Sequence, residues 1–198
     1  HNADRGGALP RGPGPALRGV PKPACSEAFA FLFQAEARRV LGLADDAEQA
    51  RAAAAVTVES ALDALQIAGP ALLELDVWRW LYAHPDADPA ALRDAVLERA
   101  GALWRRHYGA YGDDPYALLA AYQHMIAYPL YLPNYAIGHV IGHQIRRHLA
   151  GRDLAAETLR ICAIGRLTPA LWLERAVGAP LDPRGLVADA AAAVAVLG

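Results

Sequence analysis

Cysteine is almost missing from this 198-residue chain. Its two cysteines, Cys25 and Cys162, can form at most one bridge, so no disulfide framework holds the fold and a cytoplasmic setting is expected. Excess charge of one sign is missing too: 19 lysines and arginines face 21 aspartates and glutamates, with no basic tract. That excludes the electrostatic footprint of a nucleic-acid binder, and no nucleic acid is expected as a partner. Long apolar runs are also lacking. The longest, Leu186–Leu197, is interrupted by Asp189 and is shorter than the roughly 20 residues that cross a bilayer, which predicts no membrane span. No alternating pattern bounded by hairpin turns occurs, and no repeat of fixed period. The chain has no basic-then-apolar signal pattern and starts with His1 rather than methionine, so an upstream segment is expected.

What is there is a globular composition: 55% of the residues are hydrophobic, enough for one substantial core or the larger part of a bigger domain. Glycine and proline fill about half of positions 5–23, so residues 1–25 are expected to form an irregular loop. Beyond it, Asp88-Pro89, Asp114-Pro115, Thr168-Pro169 and Asp182-Pro183 each set a capping side chain before a proline suited to the first helical position. After Ser26, Phe29, Leu32, Phe33, Ala37, Val40 and Leu41 recur at helical spacing, with Arg38 and Arg39 off that stripe and Gly42 as a stop, which predicts a helix. Further helices are expected near 46–66, 70–83, 89–107, 115–127, 135–150, 153–164, 169–177 and 183–196. The expected architecture over 26–198 is all-α, in one compact unit.

Glu27 sits at the start of an otherwise apolar helix. By spacing alone, Ser26 caps that helix and Glu27 favours its positive end, an arrangement contributing about 0.3–1 kcal/mol at an exposed surface. A second reading comes from the segment Gly19-Val-Pro-Lys-Pro-Ala-Cys-Ser-Glu-Ala-Phe-Ala-Phe-Leu-Phe-Gln34. It resembles the stretch that carries the glutamate zinc ligand in the oligoendopeptidase and thimet-oligopeptidase group of gluzincin metallopeptidases. In these enzymes and the related Taq-type carboxypeptidases the glutamate follows the second histidine of HExxH by about 25 residues, and here His1 precedes Glu27 by 26. His1-Asn2 thus resembles the end of an HExxH-Asn sequence.

That resemblance implies a peptidase whose Zn2+ is held by two helical histidines and a glutamate, with His1 and Glu27 as the ligands present here. The implied substrate is a peptide and the implied reaction its hydrolysis by a metal-activated water, the glutamate of HExxH taking the proton. The chain itself contains neither that glutamate nor the first histidine.

A separate stretch, Tyr131-x-Pro-x-Tyr135-x-x-Gly138, is similar to the Tyr-Phe-Pro-Thr-Tyr-x-Leu-Gly run of Taq-type carboxypeptidases, with His124 seven residues ahead of it. The resemblance implies that His124, Tyr131 and Tyr135 hydrogen-bond the substrate carbonyl and the tetrahedral oxyanion, with Tyr128 as an alternative hydroxyl. Packing alone offers another account, in which these aromatics line a helix start broken by Pro129 and Pro133. The two resemblances point respectively to endopeptidase and carboxypeptidase chemistry. A third, Gly165–Asp182, looks like the closing helices of the same enzymes.

His139-Val-Ile-Gly-His143 sets two histidines one helical turn apart, a spacing that can bind metal. Val140 stands where HExxH needs glutamate, so a packed or partly exposed helix with hydrogen-bonded histidines is the expectation. The alternative to an enzyme is a degenerate peptidase relative acting as a helical binding or scaffold protein.

Overall fold

The computed structural model describes residues 23–41, 46–119, 125, 127–165 and 167–198. Among them the fold is all-α, with seven helices: α1 Pro23–Val40, α2 Asp46–Ala83, α3 Pro89–His107, α4 Leu132–Leu149, α5 Leu154–Cys162, α6 Pro169–Val177 and α7 Arg184–Leu197. Two short 3-10 turns, Gly109–Tyr111 and Pro115–Leu118, lie between α3 and α4. Where one compact unit is expected, the chain forms two. One combines the described residues up to Ala64 with Ile137–Gly198, and the other is Leu65–Ala136.

Local chemistry accounts for the helix starts. Asp88 accepts a hydrogen bond from the Ala91 amide at 2.8 Å, and Asp153 accepts one from Ala156 at 2.9 Å. Each satisfies one of the amides that a helix leaves unpaired in its first turn. Proline opens α1, α3 and α6, where its missing N–H costs nothing. For the same reason α4 begins at Leu132, before the expected 135, because Pro133 fits its first turn. Asp114-Pro115 opens only a 3-10 turn. The α6 helix ends at Gly178, whose φ of +77° suits a residue without Cβ.

Two expected helices, 46–66 and 70–83, are one 38-residue helix that passes through Pro70. An interior proline removes one helical donor and crowds the preceding turn. In that turn the Tyr108 hydroxyl donates to the Leu65 carbonyl, and the Tyr108 ring covers Gly69, where a Cβ would come within 2.5 Å of it.

In the unit containing α1, the core is built from Ala24, Cys25, Ala28, Phe29 and Leu32 of α1, Ile141 and Ile145 of α4, Ile161 of α5, and Trp172 and Leu173 of α6. The Phe29 and Trp172 rings meet edge to face at 6.0 Å. The expected helix is present, and along its stripe Phe29 and Leu32 are buried, whereas Phe33, Ala37 and Leu41 are exposed. The buried face turns toward Ala24, Cys25 and Ala28 because α4 approaches there through glycines. A Cβ on Gly142 would lie 3.2 Å from the Ala28 carbonyl oxygen. In the second unit Leu73, Ala100, Trp104, Tyr108 and Leu118 form a smaller core, and the Trp104 indole donates to the Gly112 carbonyl at 2.7 Å.

Candidate functional site

Glu27 is 9% exposed and Ser26 1% exposed. Because α1 begins at Pro23, Glu27 lies past the first turn. The exposed, helix-start carboxylate of the local reading is therefore replaced by a buried one. Gly138 packs directly on it: a Cβ there would meet the Glu27 Cβ at 2.9 Å, the Phe31 ring at 3.3 Å and the Ala24 carbonyl at 3.3 Å. The last residue of the Tyr-x-Pro-x-Tyr-x-x-Gly run is thus seated on the helix that carries the candidate zinc ligand. His1 and His124 lie outside the described residues.

One helical turn along α1 from Glu27, Phe31 stacks on His139 of α4, with ring centroids 3.9 Å apart and planes at 10°. These two rings, with Glu59, Ser60 and Asp63 of α2, line a cavity of about 110 Å³. His139 is 6% exposed, its Nε2 lies 3.9 Å from Asp63 Oδ2, and its Nδ1 has no hydrogen-bond partner. Burial holds the imidazole pKa below its ordinary value, against an opposing pull from Asp63 and with a smaller push from Arg146. His143 is 3% exposed, with Nε2 3.1 Å from Asp189 Oδ2. Burial again lowers its pKa, outweighing the Asp189 carboxylate.

The two histidines share a helix face, yet each turns to its own aspartate. They are packed, as expected. The expected hydrogen bonds are not formed at Nδ1 of either histidine. Among the described residues no three His, Cys, Asp or Glu side chains gather into a group that could hold a metal ion. Glu27 is the one expected zinc ligand within them.

The tyrosines belong to the second unit. The Tyr131 and Tyr135 rings meet edge to face at 5.3 Å, and Tyr128, which is 60% exposed, stands 6.5 Å from Tyr131. Both the amide and the side-chain nitrogen of Asn134 donate to the Tyr131 carbonyl at 2.9 Å, tying the pair to the first turn of α4. A turn closed by Tyr131 N–H donating to the Tyr128 carbonyl at 3.1 Å precedes the helix. Within that turn the Leu130 amide donates to the buried Glu74 carboxyl. Sequence reasoning missed Glu74, which lies 56 residues away and carries no local signal. Pro129, a favoured second residue of a turn, was the only hint of the turn itself.

No family model, curated protein or solved structure matches this chain. Among the described residues, no helix is long and apolar enough to cross a membrane.

Proposed function

We propose that this chain is the helical C-terminal part of a zinc-dependent peptidase that hydrolyses peptide bonds in oligopeptides. The observation that carries the reading is the seating of Gly138 on Glu27, with a Cβ-to-Cβ approach of 2.9 Å. Two segments more than a hundred residues apart, each resembling a part of the same peptidase active site, meet at Glu27 and Gly138.

In this reading Glu27 supplies the anionic ligand, and His1 with a histidine upstream of it completes the set. Bound zinc would lower the pKa of its water and polarise the scissile carbonyl. The contribution of this chain is to hold Glu27 in a close-packed position, and Tyr131 and Tyr135 are the proposed donors to the developing oxyanion. Because the sequence holds neither the first histidine nor the glutamate of HExxH, the 198-residue chain alone is expected to bind zinc weakly and to turn over no peptide.

The test is Glu27→Gln in a protein that carries the upstream HExxH. Zinc occupancy, measured by metal analysis, should drop sharply while the helical signal is retained. Unchanged occupancy would return Glu27 to a packing role. A second reading is a non-catalytic helical scaffold. It requires that residues other than His-Glu-x-x precede His1.

A further inference from the structure

Among the described residues Leu130 is the one residue other than glycine with a positive φ, +61°. It occupies the third place of the Tyr128–Tyr131 turn, after Pro129. Proline second and positive φ third are the marks of a type II turn, whose third place suits glycine or asparagine. A leucine there crowds its Cβ against backbone oxygen. Something must hold it.

Glu74 does so. Its Oε1 accepts the Leu130 N–H at 2.5 Å. The side chain belongs to α2 and is 3% exposed, and its second oxygen, Oε2, has no hydrogen-bond partner. Burying a carboxyl with one oxygen unsatisfied costs free energy, so this group is poorly explained as a contribution to stability. Its hydrogen bond falls on the strained residue. Strain of this kind persists where the surroundings over-determine it, and it clusters at functional sites.

The strained residue is followed at once by Tyr131. The direction of the chain at Leu130 decides where that ring stands, since Leu132 next to it is buried as a fixed anchor and Asn134 ties the Tyr131 carbonyl into the helix. Tyr135, one turn further, takes its edge-to-face contact from the same placement. We propose that Glu74 is a positioning residue for the Tyr131–Tyr135 pair, acting through the left-handed conformation of Leu130. The clamp stands on geometry alone. Its value to catalysis rests on the reading that these tyrosines serve the oxyanion.

The experiment follows the ring signals of Tyr131 and Tyr135 by NMR, together with amide hydrogen exchange at Leu130, in the 198-residue chain. Glu74→Leu should accelerate Leu130 exchange about ten-fold or more and shift both ring signals. Glu74→Gln keeps an acceptor oxygen and should leave exchange and ring signals near those of the parent. Leu130→Gly added to Glu74→Leu should restore the ring signals, because glycine adopts positive φ without help.

If Glu74→Leu fails to fold, Leu130→Pro at this partly exposed position removes the N–H and fixes a negative φ, and should move the same ring signals with Glu74 intact. Ring signals that stay in place in the folded variant, or that glycine fails to restore, overturn the proposal. So does Glu74→Gln behaving like leucine. In a protein with the upstream HExxH, Glu74→Leu should lower kcat about ten-fold with KM unchanged, and Leu130→Gly should recover it. Ring signals that move while kcat does not would keep the clamp and sink the oxyanion role.

Discussion

Gly138 of α4 stands so close to α1 that a Cβ there would lie 2.9 Å from the Cβ of Glu27. That distance is too short for two carbon atoms, so any larger residue must push the helices apart. One helix lends the other its backbone as a packing surface, and the Tyr-x-Pro-x-Tyr-x-x-Gly run ends where Glu27 is buried.

Gly138→Ala should therefore destabilise the chain by about 1–3 kcal/mol, the usual cost of overfilling a packed contact. Gly101→Ala on α3 is the comparison. A Cβ there meets only the movable end of Arg105 at 3.2 Å, so removing a helical glycine should stabilise by about 0.5–1 kcal/mol. Urea midpoints of both variants check the pair. Equal responses would contradict the close approach at Gly138.

Loss of either tyrosine hydroxyl tests the donor role. In a protein with the upstream HExxH, Tyr131→Phe or Tyr135→Phe should lower kcat by about 10²–10³ with zinc retained, the size typical of one oxyanion donor. kcat and kcat/KM should fall together, since such a bond is made mainly in the transition state. His139→Ala is the control and should leave metal content unaltered. The donor role fails if both phenylalanine variants keep kcat within a few-fold of the parent.

Two buried histidines set an acid limit on stability. Burial lowers the pKa of His139 and His143 below their ordinary 6.5. The unfolded chain therefore takes up these protons near pH 6.5, while the folded chain takes them up only at lower pH. Between those points the unfolded state binds more protons, so stability falls as pH falls and is fully present above about 6.5. The pair His139→Gln and His143→Gln should flatten the urea midpoint between pH 7 and 5. Glu157 does not confuse this window. Hydrogen bonds from Arg160 and then His148 hold its pKa down to about 2, so its contribution is present above about 4.5 and is lost only as pH falls toward 2.

Helix type and most helix starts were legible in the sequence because their causes are local. A cap reaches three residues along the chain, as Asp88 does to Ala91, and a proline acts on its own turn. The all-α architecture follows from such signals, with α3 and α6 at their expected bounds. The candidate site was legible only as a set of residues, through the resemblance of Glu27 and of Tyr131, Tyr135 and Gly138 to peptidase motifs.

What those residues touch was decided by tertiary packing. Nothing near Glu27 in sequence says that it is buried; Gly138 and the α4 backbone do that. Phe33 fits the helical period as well as Phe29, yet Trp172 packs on Phe29 and leaves Phe33 half exposed. His139 and His143 share a spacing but part company because Asp63 and Asp189 come from different helices. Leu130 takes a conformation that its own side chain opposes, held by Glu74 from α2. Local preference is a matter of about 1 kcal/mol per residue, whereas burial of a side chain is worth about 1.5–3 kcal/mol, so the partner that chain folding brings in has the last word.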